Sequence, residues 1–595
     1  MATVLEVIQR LFPRGTNLSP GTSVSEFPIW PPDLFAVAST IVNLSGCYIR
    51  PRYATGDLQD CLYTDDATRF GFSTKNFQEE IEGVASYYGR FGTVEMTGPR
   101  DTDEGVAEKK RFYEQQSAAL AVVQGLWERL LEEPSANLDK VPKRVCDAAV
   151  VLMLIADSAS QGIGFINEPQ FTRPFASLVF DEHSRVANDE SPDLLRYLPS
   201  SLCLMIPDFE LCVQPKSTVP TVGCTLRSLS HHLALLPSAM EVRTQWLFGW
   251  AAATEPDYHK PINLLIVPFP YNISGNCFED AGECVPGQRL WSFFDVRQRW
   301  LEHDGHEITV EELGGFLKQL LDAARREVGT VHGVILPELA LSSELADGLQ
   351  RWILENEVDI EILICGVLKT GGRLPANKAK TCLFGRSHSN DGKVVAKKLT
   401  DWEQAKHHRW KLDGRQVARY HLGARLTPSA EWWERCGIEN RKCYTYLLRP
   451  GISVATLICE DLARIDPVQQ VIRAIGPNLV IALLMDGPQL EKRWSGRYAT
   501  VLADDPGSAV LTVTSLGLLR RSMMPGETLP NQIGLWKGAE GETRELCLPS
   551  GEHGMVLTLS PRMIRGYSMD GRDDGEATCR LEAYRNSKRP GSRAP

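Results

Sequence analysis

Hydrophobic positions along the chain change their spacing near residue 255. Before that point, apolar residues recur three and four positions apart, the spacing that places them on one face of a helix. The first such stretch begins at Asp33, which follows two prolines, and ends at Gly46. An Asp at the start and a Gly at the end are typical of helix caps. The pattern predicts helices over residues 31–46, 106–132 and 144–160.

After residue 255, short apolar runs alternate with stretches of helical spacing. Thr309 has Glu312 three residues further on, which is the capping box that opens a helix. The turn around Asp391 and Gly392 lies between two short apolar runs and predicts a hairpin. Helices are predicted over 309–328, 342–355 and 467–475, and strands over 262–270, 331–336, 359–368, 381–384, 394–396, 453–458, 479–485 and 509–515. This alternation predicts an α/β domain built of layers.

The patterns divide the chain into three parts. Residues 1–255 are expected to form an α-rich accessory domain, and residues 256–566 an α/β domain that carries the chemistry. Residues 567–595 are rich in Arg, Asp, Gly and Ser and are expected to be disordered. Several domains are also what the length requires, because 595 residues exceed what one hydrophobic core supports.

Composition and charge exclude several classes of protein. The chain has 64 Lys and Arg against 75 Asp and Glu, a net charge of −11, which argues against a nucleic-acid partner. No apolar run reaches the roughly 18 residues of a membrane span, and Glu6 and Arg10 interrupt the first apolar stretch, unlike a signal peptide. Fifteen cysteines without regular spacing fit a reducing compartment better than a disulfide framework. We therefore expect a cytoplasmic protein without a membrane segment.

Two side chains with useful chemistry follow apolar strands. Cys459 comes at the end of one predicted strand, and Glu338 follows another through Pro337. Taken alone, such a cysteine is usually a packed thiol and such a glutamate an exposed cap. Because functional groups of α/β domains gather at the carboxyl ends of strands, the two together are a candidate nucleophile and general base.

The sequence from about residue 258 to 566 resembles the carbon–nitrogen hydrolase (nitrilase) superfamily. That family carries a Glu–Lys–Cys triad, each member following a strand. Its motifs are matched by Leu336-Pro337-Glu338, Lys406-His407-His408 and Leu457-Ile458-Cys459-Glu460-Asp461. Glu460 is similar to the residue found there in glutamine-hydrolysing members. Lys398, which follows the hairpin strand more closely, is the alternative to Lys406 for the triad lysine.

The resemblance implies an α-β-β-α sandwich that dimerises, and a hydrolase that needs no cofactor. Cys459 would attack an amide or nitrile carbon, Glu338 would take the thiol proton, and Lys406 would hold the developing oxyanion. A second glutamate often assists in this family. Glu431 or Glu434 could fill that place, although we prefer to interpret each as an acid in a solvated loop.

The resemblance also implies a setting for the protein. Nitrilase-like domains occur with reverse transcriptases in bacterial antiviral systems, so a role in antiviral defence and a protein partner for residues 1–255 are further hypotheses. A non-catalytic scaffold that kept the fold is the competing function. Three histidine pairs or near-pairs lack the companion motifs of a metal site, and we expect no metal there: His231-His232, His303/His306 and His407-His408.

Overall fold

The structure is a computed structural model. It describes residues 2–18, 23–49, 77–89, 103–164, 198–248, 260–282 and 291–585, apart from 221–222, 224, 304, 390, 439–440, 450, 525, 527, 570–571, 573 and 575–577.

Helices dominate the described part of the first 200 residues. They are α1 (Val4–Leu11), α2 (Pro31–Ser45), α3 (Phe77–Tyr88), α4 (Asp103–Leu130) and α5 (Lys143–Ala159). The three predicted helices correspond to α2, α4 and α5. Helix α2 ends where Gly46 adopts the left-handed conformation that suits a residue without Cβ. Helix α5 is buried on all sides from Val145 onward, as its nearly continuous apolar sequence predicts.

Strands and helices alternate in the rest of the chain, as predicted. The strands are β1 (Cys212–Pro215), β2 (Leu233–Leu236), β3 (Arg243–Phe248), β4 (Ile262–Ile266), β5 (Phe278–Asp280), β6 (Trp291–Val296), β7 (Glu302–His303), β8 (His306–Glu307), β9 (Gly333–Ile335), β10 (Leu341–Ser342), β11 (Ile362–Lys369), β12 (Ala376–His388), β13 (Val394–Ala405), β14 (Lys411–Leu412), β15 (Glu431–Glu434), β16 (Lys442–Arg449), β17 (Ile452–Ile458), β18 (Leu479–Leu484), β19 (Ala509–Thr514), β20 (Gln532–Lys537), β21 (Thr543–Cys547), β22 (Met555–Ile564) and β23 (Thr578–Arg585). The helices are α6 (Val310–Val328), α7 (Ser343–Asn356), α8 (Gly414–Arg419), α9 (Gln470–Ile475), α10 (Trp494–Asp504) and α11 (Leu516–Arg521).

The predicted capping box opens α6. Thr309 accepts a hydrogen bond from the backbone N–H of Glu312, and the Glu312 carboxylate accepts one from the backbone N–H of Thr309 in return. The two bonds satisfy N–H groups that a helix start otherwise leaves unpaired.

Two large sheets form the centre of the α/β part. The first has the order β13-β12-β11-β9-β4-β22-β23, with β10 beside β11, and the second has the order β21-β20-β19-β18-β17-β16-β3. The sheets meet where β12 and β13 lie against β17 and β16. There Gln404 donates to the carbonyl of Thr456 at 2.8 Å and accepts from the backbone N–H of Tyr444 at 3.1 Å.

Helices cover the sides of the sheets that face away from this contact. Helix α6 contacts β4, α7 contacts β11 and β13, and α10 contacts β19 and β20. The architecture is therefore the α-β-β-α sandwich that the sequence predicts, preceded by a helix-rich region. Within the described ranges, none of the helices combines the length and apolar character that a membrane crossing requires.

The structure differs from the expected domain boundaries at two places. Strand β3, before the expected boundary at residue 255, pairs in parallel with β16 and forms an edge of the second sheet. Strand β23, inside the expected disordered tail, pairs antiparallel with β22 along its whole length. The partner of β3 lies far along the chain, and the partner of β23 is the strand directly before it. Local composition reveals neither pairing, because strand formation depends on the neighbours that a strand finds in the fold. Residues 586–595 lie outside the described residues.

Candidate active site

The candidate residues lie at the ends of strands from both sheets. Glu338 follows β9, Lys406 directly follows β13, and Cys459 directly follows β17. The sequence predicted only a short strand at 394–396, but β13 continues to residue 405 and delivers Lys406 at its end. All three side chains are buried. Glu338 and Lys406 have no exposed surface, and Cys459 is 1% exposed.

Lys406 lies between two buried glutamates. Its Nζ is 2.7 Å from Oε1 of Glu338 and 2.6 Å from Oε2 of Glu434. Burying a charge costs free energy, because the charge loses its interaction with water. Each of these three charges therefore needs an opposite charge at short distance to offset that cost. The backbone adds to this, because the N–H of Trp410 donates to Oε2 of Glu434 at 3.1 Å.

Asn377, on β12, closes the cluster into a ring. Its Nδ2 donates to Oε1 of Glu338 at 2.8 Å and to Oε1 of Glu434 at 2.7 Å. The two glutamates are therefore bridged twice, once by the ammonium of Lys406 and once by an amide. The sequence analysis missed Asn377, since a single asparagine in a strand carries no motif of its own.

Glu434 is brought into the site by the alternation of β15. Side chains of a strand point alternately to its two faces, and here Trp432 and Glu434 are buried while Glu431 is exposed. The interpretation as a solvated loop acid is therefore wrong for Glu434. It describes Glu431, which forms an ion pair with Lys411 at 2.8 Å on the surface.

Cys459 occupies a strained turn. It begins a short 3₁₀ turn directly after β17, and its φ is +47°. A residue with a Cβ pays a penalty of about 1–2 kcal/mol in this left-handed region, and such strain is typical of functional sites. The first N–H groups of a helical turn have no partner within it, so they are available to a negative oxygen beside the thiol.

The Glu338 loop is held equally closely. Leu339, the next residue, also has a positive φ of +58°. Gln298, two residues after the end of β6, donates to the carbonyl of Leu339 at 2.7 Å and holds the loop in place. Gly366 of β11 lies against it so tightly that a Cβ there would stand 2.4 Å from the Cα of Glu338.

Asp461 fixes the segment that follows Lys406. Its buried carboxylate accepts from the backbone N–H groups of His407 at 3.1 Å and His408 at 3.0 Å. The imidazole of His408 contacts the same carboxylate at 3.1 Å. The acid two residues after the cysteine therefore locks the lysine segment onto the cysteine turn, which explains how the two sequence motifs depend on each other.

The charges of the cluster act on one another. Burial raises the pKa of Cys459 well above its usual range, and the Glu338 carboxylate raises it further against the opposing effect of Lys406. Burial alone would lower the pKa of Lys406, but the carboxylates of Glu338 and Glu434 outweigh it and raise that pKa. Cys459 is therefore a neutral thiol at rest, which needs a base to become a nucleophile, beside a lysine that stays charged.

Lys398 lies away from the cluster. Its side chain is 48% exposed and pairs with Asp401 at 3.4 Å. Glu460 is also outside the ring and pairs with Arg464 at 2.6 Å. Among the described residues, no group of three or more His, Cys, Asp or Glu side chains is arranged to hold a metal ion. His231 and His407 instead contact backbone carbonyls, at 3.0 and 2.9 Å.

No protein-family model matches the sequence, and no curated protein matches it either. Among solved structures, the chain is similar to Saccharomyces cerevisiae Nit3, a member of branch 10 of the nitrilase superfamily, with 13% identity and a TM-score of 0.30 over 51% of this chain and 91% of that one. A carbon–nitrogen hydrolase from Helicobacter pylori G27 is similar with 14% identity and a TM-score of 0.26, over 48% of this chain and 85% of that one.

A glutamine-dependent NAD(+) synthetase from Cytophaga hutchinsonii is similar with 10% identity and a TM-score of 0.23. The match covers 50% of this chain and 43% of that protein, so the chain spans less than half of its length.

Proposed function

We propose that this chain is a carbon–nitrogen hydrolase that cleaves an amide or nitrile of a small molecule through a covalent intermediate on Cys459. The observation that carries the proposal is the buried ring of Glu338, Lys406, Glu434 and Asn377 beside a strained cysteine turn. A scaffold protein would have no use for two carboxylates and an ammonium buried together, because such a cluster is costly to bury.

In the proposed reaction, Glu338 takes the proton of the Cys459 thiol as the sulfur bonds to the substrate carbon. With an amide substrate, the carbonyl oxygen becomes negative, and Lys406 and the N–H groups of the cysteine turn stabilise it. Lys406 has three N–H donors and uses two on the glutamates, so one is left for this oxygen.

The tetrahedral intermediate then breaks its carbon–nitrogen bond. Glu338 passes the proton to the leaving nitrogen, and the acyl group stays on sulfur as a thioester. Water gives a proton to Glu338 and attacks the thioester, and the sulfur leaves with a proton. The sum for a primary amide is amide plus water to carboxylic acid plus ammonia. Glu434 holds Lys406 in place through both half-reactions.

The test uses the full-length protein and a panel of amides and nitriles, with released ammonia as the readout. Cys459→Ala should lower turnover by several orders of magnitude, because the covalent route is lost. Cys382→Ala is the matched control, since Cys382 is equally buried but lies on β12 away from the ring.

Two outcomes would contradict the proposal. One is a Cys459→Ala variant that hydrolyses its substrate at the wild-type rate. The other is no ammonia from any compound together with no preferential labelling of Cys459 by small thiol reagents, which would favour the scaffold function instead.

Four wider parts of the proposal rest on the sequence. The unpatterned cysteines support a cytoplasmic location. The family resemblance supports a homo-oligomer, a protein partner for the first 255 residues and a role in bacterial antiviral defence. Light scattering of the purified protein tests the homo-oligomer, and a monomer at all concentrations would overturn it.

A further inference from the structure

The orientation of the Asn377 amide is fixed by its neighbours. Its nitrogen faces two carboxylate oxygens, of Glu338 and Glu434, at 2.8 and 2.7 Å. Rotating the amide by half a turn would place its oxygen against both carboxylates, which is repulsive. The nitrogen is therefore the atom in the ring, and the oxygen Oδ1 is directed elsewhere.

Two oxygens of the cluster are buried without a partner. Within the part of the chain that the structure describes, Oδ1 of Asn377 and Oε2 of Glu338 accept no hydrogen bond, and both residues are completely buried. Buried polar atoms are nearly always paired, because an unpaired one loses its interaction with water and gains nothing in return. The two groups hydrogen bond to each other through Nδ2 and Oε1, so both unpartnered oxygens belong to the same buried cluster.

We propose that Oδ1 of Asn377 accepts an N–H of the substrate, beside Oε2 of Glu338, and that the substrate is therefore a carboxamide and not a nitrile. The inference rests on the proposed function. It adds Asn377 as a residue that touches the reacting nitrogen and narrows the substrate to one class.

The remaining donors and acceptors of the site match an amide group. The unused N–H of Lys406 is a donor for the carbonyl oxygen, and the two unpartnered oxygens are acceptors for the –NH₂ group. A nitrile and an ester have no N–H to give, so they would leave Oδ1 of Asn377 buried and unpaired. A site built around such a hydrogen bond rejects analogues that lack it.

The placement also fits the proton transfer. Once one N–H is held by Asn377, the nitrogen of the tetrahedral intermediate can turn its lone pair toward Glu338. Glu338 then delivers to that nitrogen the proton it took from the thiol, and the carbon–nitrogen bond breaks. Asn377 gains or loses no proton in this step, and it acts by orientation.

The first experiment compares matched substrates on the full-length wild-type protein. Acetamide and acetonitrile, propionamide and propionitrile, and benzamide and benzonitrile are assayed in pairs for ammonia release. We expect a preference for the amide on the order of 100-fold or more in every pair that is turned over. Nitriles hydrolysed as fast as their amides would overturn the inference and leave the proposed function intact.

The second experiment replaces Asn377 and measures the ratio of two alkylation rates at Cys459. A substitution that merely disturbs the site slows both reactions and leaves their ratio unchanged. Asn377→Ala and Asn377→Ser should slow alkylation of Cys459 by iodoacetamide at least roughly 10-fold more than alkylation by iodoacetonitrile, as measured by peptide mass spectrometry, because only the first reagent carries an amide N–H. Gln404→Ala is the matched control. Gln404 is also a buried amide, but both of its ends are partnered within the protein, and its loss should leave the ratio unchanged.

The outcomes separate the two levels of the argument. A Cys459 that neither reagent labels, with no ammonia from any amide, means that the proposed function has failed. A Cys459 that is active and labelled, with the same reagent ratio in both Asn377 variants as in the wild type, means that Asn377 only supports the glutamates and that the inference is wrong. Both variants are checked by thermal melting, and the ratio is read from whichever is folded.

Discussion

Lys406 is the residue on which the charge balance of the site depends. It is completely buried and pairs with two buried carboxylates, so its ammonium is the cation that offsets their negative charge. Burial raises the pKa of Glu338, Lys406 opposes that rise, and Glu434 adds to it. Without the ammonium, the pKa of Glu338 would rise further, and a Glu338 that already carries a proton could not take the thiol proton as proposed.

Replacing Lys406 tests this balance. Lys406→Met should cost roughly 100- to 1000-fold in turnover, since one oxyanion donor is lost. It should also lower stability by about 3–5 kcal/mol, because two buried carboxylates lose their partner. Lys398→Met is the control, as that side chain is half exposed and pairs with Asp401, away from the ring. Ammonia release and thermal melts of both variants decide, and a crippled Lys398 variant beside an active Lys406 variant would reverse the assignment.

At the scale of elements, the ends of strands and the strands beside them determine where the side chains of the candidate site lie. Glu338 follows β9 and is backed by β11, where Gly366 leaves no room for a side chain. The contact explains why this strand position carries glycine, although glycine weakens strands in general. The backbone of β11 thereby sets the position of Glu338, the proposed general base.

Gly366→Ala should therefore move Glu338. The new Cβ would lie 2.4 Å from the Cα of Glu338 and from the backbone N–H nitrogen of Leu339, so the loop must shift. A displacement of this kind costs on the order of 100-fold in rate when it misplaces a reacting group. Gly315→Ala is the control, because nothing lies within 4 Å of a Cβ there and alanine should stabilise α6 by roughly 0.5–1 kcal/mol. Equal turnover of the two variants would contradict the role of Gly366.

A second element, α2, is held to the segment around residue 204 by the side chain of Asp33, which can ionise. Asp33 in its first turn is buried and accepts backbone N–H groups of Leu204 and Met205 at 3.1–3.3 Å. Burial raises the pKa of Asp33 from 3.8 to about 7, although these bonds oppose the shift. The folded protein therefore binds this proton more tightly than the unfolded chain does.

The sign of the pH effect follows. The contribution of Asp33 to stability is fully present below about pH 4 and is lost as the pH rises toward 7. Asp33→Asn cannot ionise and can still accept the same N–H groups, so its melting temperature should fall less between pH 5 and pH 7.5 than that of the wild type. Identical pH dependence in the two proteins would show that Asp33 does not ionise in this range.

At the scale of the whole molecule, one core joins parts that the sequence separates. Buried apolar residues from α1 to β23 form a continuous cluster. Polar contacts cross the expected boundary too, since Arg227 pairs with Asp505 at 2.7 Å and Ser217 bonds to Ser453 at 2.7 Å. The helix-rich region is thus attached to the second sheet through residues 198–248.

The end of the chain belongs to the same core. Leu581 of β23 is 3% exposed, and Asn478 donates to the carbonyl of Cys579 at 2.7 Å. A protein that ends at residue 566 should therefore melt well below the full-length protein or be insoluble, because β22 loses its neighbour. A protein that ends at residue 585 keeps β23 and is the control. Equal melting temperatures for the two truncations would show that β23 adds nothing to stability.

The sequence by itself determined the local structure and the triad motifs. Helices with caps and periodic apolar residues, such as α2 and α6, were predicted because their signals lie within a few residues of each other. Cys459 and Glu338 were found in the same way, since each follows an apolar strand in a recognisable motif. Lys406 could be preferred but not separated from Lys398, because the length of β13 depends on its pairing with β12.

Only the tertiary structure decided what depends on how the strands pair. β23 carries no strong local signal and is ordered because β22 offers it a free edge. Glu434 and Asn377 join the site because β15 and β12 bring them to a lysine that is 28 and 29 residues away in sequence. A single residue in a strand gives no sign of which face it occupies until the register of its sheet is fixed, and that register is a property of the whole fold.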